Sequence, residues 1–394
     1  MRNLFSNRKG GKVNTHMKKA VALVARIAAA MAAAVLLTGV IVYPQGISSP
    51  ATTKPEANGG KSSRSIPMST YSFVATKGRS KKPYTGTLVG TSPFASTLSG
   101  STIPVVVVPV VVNINGTVFD PTAPNYCGSE GGVDAITRIM QSPIVEPTPL
   151  TFNGIDVGNV QYVDGFMRSQ FWQTINGDPA YTNAFIFSVT APVTIDTGTI
   201  GITYQSGCQQ LGILDQSFVR NQILSLLQSL PEVSPSQIVL FVTHNVALSA
   251  ANQPPAPPAT ALGYHAVTGS APQVYAVADY NTTGLLKARN TTVVSHELAE
   301  IMMDPLITNA TPAWGGIGKI PAGSCQSILE VADPLVGTQV AIFHNGYTYN
   351  LVELAYFSWF FNAQTTPSLG ASGAFSSNGA FKGPAVACPP GGTY

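Results

Sequence analysis

The stretch richest in chemistry is Thr291 to Pro305, TTVVSHELAEIMMDP, which contains His296-Glu297-Leu298-Ala299-Glu300. On a helix, His296 and Glu300 stand one turn apart and leave the same face. A divalent metal needs that arrangement from its first two ligands. Glu297 lies about 100° round the helix, near enough to act on a water beside the metal. Val294, Leu298 and Ile301 fall on the opposite side as an apolar stripe that can face a core. Asp304-Pro305 ends the helix, because the residue before proline avoids the helical region. The usual zinc-protease helix reads H-E-x-x-H. Here Glu300 takes the place of the second histidine, and a carboxylate oxygen also ligates zinc. The plain alternative is a helix with a polar solvent face. Against it stands a charged fraction of only 10%, which makes clustered acids unusual.

A second informative stretch, Leu329-Glu330-Val331-Ala332-Asp333-Pro334, follows a loop's length downstream. Two ligands from one helix and a third from this segment leave a fourth position open, as catalytic zinc requires. Glu330 is the first choice for the third metal ligand. Asp333 is the alternative, as ligand or as partner of a ligand. A surface Glu and a turn-forming Asp before proline would explain the same spacing. His265 and His344 are each read first as structural, with assistance to a transition state as the alternative.

The elements that would position these residues form an α+β fold, a mixed, strand-rich sheet with a zincin-like metal-site helix packed on one face. That plan is reached by analogy, and a fold by itself does not establish function. Thr102 to Phe119 contains PVVVVPVVVNINGTVF, a β-branched run that reads as a buried central strand. Pro109 argues for a bulge or an edge within it, and Asn115-Gly116 for a hairpin. Val133 to Gln141 reads as a short helix. Gln161 to Trp172 has apolar and aromatic residues at helical spacing, for packing. Ala184 to Tyr204 reads as two strands, and Asp215 to Leu230 as an amphipathic helix stopped by Pro231. Gln237 to Leu248 and Gln273 to Tyr280 read as strands, with a Pro/Ala loop over Asn252 to Thr260. His344 to Phe361 reads as a closing hairpin. Ile317 to Ser324 is Gly-rich but fails as a phosphate loop, since Ile320 follows Lys319 where Ser or Thr is needed. No G-x-S-x-G occurs, so a serine-hydrolase elbow is absent.

Residues 1–46 read as a signal peptide or signal anchor: a basic start with Arg2, Arg8, Lys9, Lys18 and Lys19, then an apolar run from Ile27 to Tyr43. As an anchor, residues 27–43 would be a transmembrane helix, though slightly short for one. Residues 47–66 read as a flexible linker, and 67–394 as one extracytoplasmic domain with a Gly/Ser-rich tail. Both readings place the rest of the chain outside the cytoplasm, with contact to a membrane only through the N-terminal segment. In such a chain Cys127, Cys208, Cys325 and Cys388 suggest two disulfides, with three possible connectivities. The net charge of +3 comes largely from the N-terminal segment, so nothing argues for nucleic acid.

With both motifs in hand, the chain resembles a secreted family that includes the plant phosphate-induced, exordium-like proteins and bacterial relatives. That family's signature is close to A/S-H-E-L-A-E, an N/D-P step, then E-I-A-D-x-C. Ser295 to Glu300, Asp304-Pro305 and Glu330 to Asp333 match it position by position. Leu335 stands where the family usually has cysteine, with Cys325 as the substitute. The specific match covers roughly Val293 to Asp333. The resemblance implies a zincin-like site with His296 and Glu300 as ligands and Glu297 as base, and leaves proteolysis open. The expectation is therefore an exported zinc-dependent hydrolase acting on a peptide or protein substrate. The alternatives are a non-catalytic cell-surface or wall-associated protein with a structural metal, and calcium bound by Glu300, Asp304, Glu330 and Asp333.

Overall fold

The computed structural model describes residues 66–76, 83–250, 261–320, 322–362, 374–385 and 388. The expected export segment, the linker up to residue 65 and the Pro/Ala loop lie outside them. All described residues belong to one unit, 41–394.

The architecture is α+β; apart from the main sheet, β1 (Thr70–Thr76) pairs with β2 (Pro83–Val89), β5 (Thr148–Phe152) with β6 (Ile155–Val160), and β15 (Ala310–Gly315) with residues 325–328. Its centre is the β-branched run, now β3 (Gly100–Ile114), which turns at Asn115-Gly116 into β4 (Thr117–Phe119). On one side β3 pairs in parallel with β11 (Ile238–His244), which pairs in parallel with β14 (Gln273–Tyr280). The antiparallel β13 (Gly263–Thr268) closes that edge. On the other side β3 pairs first with β7 (Thr182–Val189), then with β8 (Val193–Asp196). Pro109 sits where β7 has ended at Val107 and β8 has not begun at Val110. The Val107 carbonyl accepts from Thr190 on that side. Residue 109 therefore faces the same gap, where no partner strand needs its missing N–H. The proline marks a change of partner inside a central strand, not a bulge or an edge.

Residues of β3 alternate between two cores, and that is why the run is continuously apolar. Val105 and Val107 join the core that includes helix α5 (Thr292–Met303) and helix α2 (Tyr162–Gln170). Val106, Val108, Val110 and Val112 join the core under helix α4 (Gln216–Ser229). The sheet thus has helices on both faces. Asp215 caps α4 by accepting from the Phe218 N–H at 2.8 Å. Of the remaining helices, α1 (Ala135–Met140) matches its sequence signal closely. Helix α3 (Trp172–Ile175) is one short turn after α2.

Three segments differ from their sequence reading. Ala184 to Tyr204 yields three strands, β7, β8 and the start of β9 (Ile202–Ser206). Gln237 to Leu248 is broken by Asn245, at φ +59°, into β11 and β12 (Val246–Ser249). β12 leaves β11 to pair with β10 (Gln209–Asp215) in a separate small sheet. The closing hairpin is β17 (Gln339–His344) and β18 (Tyr347–Val352), but its aromatic end folds into helix α6 (Phe357–Phe361).

Two disulfides are present, Cys127–Cys208 and Cys325–Cys388. They are consistent with an extracytoplasmic protein. The second ties the tail to β16 (Cys325–Ile328). Glu353 holds the tail too, accepting from Asn378 N–H at 3.1 Å and Ala380 N–H at 2.8 Å. The transmembrane helix expected over residues 27–43 is corrected. No described helix is long and apolar enough to cross a membrane. The longest, α4, has 14 residues, against about 20 needed to span the hydrocarbon. Residues 27–43 themselves lie outside the described set.

Candidate metal centre

Helix α5 lies on β13 and β14 with β18 against its flank. Small residues make the close approach possible. A Cβ on Gly263 would stand 2.6 Å from Val293 Cγ1 and 2.8 Å from Glu297 Oε1. The helix is pinned at its start by Thr291 and Thr292, whose hydroxyls donate to the Asn350 carbonyl at 3.0 and 3.1 Å. The Val352 N–H donates to Ser295 Oγ at 2.9 Å. At its end Asp304 accepts from the Thr308 and Asn309 N–H groups, both bonds short enough to close the turn before the chain departs. All twelve residues of α5 are buried. The expected apolar stripe is there, but the opposite face looks into protein instead of solvent.

That inward polar face carries the site. His296 Nε2 lies 3.1 Å from Glu300 Oε2 and 3.4 Å from Asp333 Oδ1. The other oxygen of Glu300 accepts from the Ala332 and Asp333 N–H groups at 3.3 and 3.2 Å. The segment named from sequence is thus drawn onto the helix through Glu300. Asp333 begins a short 3-10 turn (Asp333–Leu335). Its Oδ2 pairs with the Lys319 ammonium and accepts from Gln326 Nε2 at 3.4 Å, which leaves Oδ1 directed at His296. Gly318, at φ +59°, lets the chain pass so near Asp333 that a Cβ there would overlap the Asp333 carbonyl.

His265 enters from β13. Alternation puts Tyr264 and Ala266 on the far face of the sheet and His265 on the α5 face. Its Nδ1 lies 3.4 Å from Glu297 Oε2 and 3.5 Å from Glu300 Oε2, and its Nε2 lies 3.8 Å from Glu330 Oε2. Two sets of three can therefore gather round a cation: His296, Glu300, Asp333, and His265, Glu297, Glu300. Glu330 reaches His265 and belongs to neither set. Buried His, Glu and Asp groups here could hold a metal ion.

The donors fit a cation on their own chemistry. Glu330 Oε1 and Oε2, Asp333 Oδ1, Glu297 Oε2 and His265 Nε2 are all buried without a hydrogen-bond partner. Orphaned acceptors in an interior are costly, and several aimed into one space call for positive charge. Burial pushes the Glu330 carboxyl well above the usual range, and the charge of Glu300 adds to it. Burial likewise raises Glu297, opposed by the neighbouring His296. Burial acts on Glu300 too, but the His296 charge and hydrogen bonds from both imidazoles outweigh it and hold Glu300 well below the usual range. On each imidazole burial favours the neutral form. The carboxylates outweigh it, Glu300 and Glu297 at His296, and Glu330, Glu297 and Glu300 at His265, so both sit well above the ordinary range.

The structure brings together His296, Glu297, Glu300, Glu330 and Asp333, but Glu330, the first choice for the third ligand, is in neither set of three, and Asp304 is engaged by the Thr308 and Asn309 N–H groups. Sequence reasoning missed Lys319 and Gln326, and set His265 aside as structural. Lys319 carried a signal, as the sole charged side chain between Asp304 and Glu330. His344 joins neither set; it pairs with Glu146 at 3.0 Å. Comparison with protein-family models, with curated proteins and with solved structures gives no match.

Proposed function

We propose that the chain is an exported zinc-dependent hydrolase that cleaves peptide bonds. In this reading His296, Glu300 and Asp333 hold the ion and Glu297 moves the proton. One observation carries it: His296 and Glu300 stand 3.1 Å apart on one helix, and a buried Asp333 oxygen lies 3.4 Å from the same imidazole nitrogen. An imidazole and two carboxylates match the donor class of catalytic zinc, with a position left open. When bound, zinc supplies Lewis acidity toward a carbonyl oxygen and toward water.

The chain's own residues do the rest. Ala332 and Asp333 hold Glu300 Oε1 through their N–H groups, which fixes Oε2 toward His296. Lys319 fixes Asp333 in the same way. Glu297 follows His296 on the helix, and burial raises its carboxyl, so it takes a proton more readily than an exposed glutamate. It accepts the proton of the attacking water and returns it to the leaving amine. The resemblance to the exordium-like proteins is proposed with the same roles for these residues.

The test is Glu297→Gln. Hydrolysis of a peptide library should fall by about 10²–10⁴-fold, the usual worth of a general base, while the zinc held by His296, Glu300 and Asp333 is retained. Full activity in the variant would refute the role. A second reading, a non-catalytic surface protein with a structural metal, is favoured by burial: His296, the most exposed of the three ligands, is only 8% accessible. It predicts metal-dependent unfolding with no turnover on any peptide. Two imidazoles among the donors argue against calcium, which takes oxygen ligands.

A further inference from the structure

We propose that His265, Glu297 and Glu300 form a second divalent-cation site, weaker than the first and joined to it through Glu300. Filling it removes Glu297 from proton transfer. The inference rests on the reading of the first site given above.

Glu300 belongs to both sets of donors. Its Oε1 is committed to the Ala332 and Asp333 N–H groups. Its Oε2 is approached by His296 Nε2 from the same helix at 3.1 Å and by His265 Nδ1 from β13 at 3.5 Å. One oxygen thus faces an imidazole nitrogen from each of two elements, so each set can use it as a ligand. The donor atoms within each set lie within 4.8 Å of one another, yet the two sets do not merge into one. Zinc ligands sit about 2.0–2.2 Å from the ion, so a single ion cannot gather both sets as they stand.

The second set also has its own unpartnered donor, Glu297 Oε2, which is buried. Imidazole with two carboxylates suits zinc, manganese or cobalt. The second ion binds more weakly because it shares Glu300 and is repelled by the first, at the spacing of about 3.5–4 Å typical of two-metal sites.

The experiment titrates metal-free full chain with zinc by calorimetry. Two equivalents per chain are expected, the second weaker, and one in His265→Ala. A single equivalent in the unmutated chain overturns this inference and leaves the first site standing. None overturns both. Two equivalents in both proteins place the second ion elsewhere and overturn the assignment. A measurement on the unmutated chain stands if His265→Ala fails to fold. Loaded with two equivalents of manganese, it should give the electron paramagnetic resonance spectrum of an exchange-coupled pair. The spectrum of two isolated ions would overturn the shared carboxylate. Where hydrolysis is measurable, it should rise with the first equivalent of zinc and fall with the second.

Discussion

Lys319→Met tests how the cluster is balanced. Lys319 is 6% exposed, and its ammonium pairs with Asp333 Oδ2. Burial favours its neutral form, but Asp333, Glu330 and Glu300 outweigh burial and keep it charged. Methionine fills nearly the same space, so the change deletes the charge and keeps the packing. Removing one partner of a buried pair costs about 3–5 kcal/mol. For a chain of this size that is roughly 2 °C in Tm per kcal/mol, so about 6–10 °C in chelator. Zinc should reverse much of the loss. A unit charge acting on a divalent ion about 5 Å away, at an effective dielectric of about 20, is worth several kcal/mol. Removing that repulsion tightens zinc binding, and each tenfold tightening adds about 1.4 kcal/mol under saturating metal. The Asp333 main chain stays in place meanwhile, through the Lys319 N–H to Asp333 carbonyl bond at 3.2 Å, and Gln326 Nε2 still donates to Asp333 Oδ2 at 3.4 Å. The assay is thermal unfolding by circular dichroism, with chelator and with zinc. A variant as stable as the unmutated chain in chelator would refute the reasoning, and so would one that zinc stabilises no more.

Other predictions concern the frame. Gly263→Ala places a methyl 2.6 Å from the Val277 carbonyl oxygen and from Val293 Cγ1, forcing α5 off the sheet. We expect a loss of about 1–3 kcal/mol in denaturant unfolding; no change would mean β13 and α5 are not in such close contact. Asp279 accepts from Val246 N–H at 2.7 Å, Asn281 Nδ2 at 2.9 Å and Thr243 Oγ1 at 3.0 Å. Burial, opposed by these bonds, pushes its carboxyl up to about 7. Between pH ~4 and that value the folded state holds a proton that the unfolded state has lost. Stability from this residue is therefore complete in acid, falls as pH rises through the window by up to about 4 kcal/mol, and is level above it. Asp279→Asn should remove that slope and itself cost about 1–3 kcal/mol, since Val246 and Thr243 keep one shared acceptor oxygen while Asn281 Nδ2 then faces an amide NH2 instead of Oδ2. Urea unfolding at pH 5 and pH 8 checks both, and an unchanged slope would refute the assignment.

The site helix was legible because its information is local. The spacing of His296 and Glu300, and the stop at Asp304-Pro305, depend on helix geometry alone. The same holds for the β3 run and for the turn at Asn115-Gly116. Partners brought by long-range packing were not legible. His265 reads as a lone structural histidine until β13, left unassigned from sequence, is paired against β14 and turns its ring toward α5. Lys319 looked like a failed phosphate loop until Gly318 let it reach Asp333. The break at Asn245 has no local proline or glycine. It comes from tertiary bonds, with Asn245 Nδ2 donating to Gln209 Oε1 at 2.6 Å and the Thr282 N–H donating to Asn245 Oδ1 at 2.7 Å. The aromatic stretch that became α6 alternates like a strand, but its residues are buried all round and pack on Trp314, Phe73 and Phe171.

The most direct test of the central claim is the metal content of the purified, exhaustively dialysed chain, measured by elemental analysis beside His296→Ala. At least one tightly held divalent ion per chain, zinc first among them, should be found in the unmutated protein and lost in the variant. A chain that carries no divalent ion, or a variant that keeps its full complement, would contradict the account.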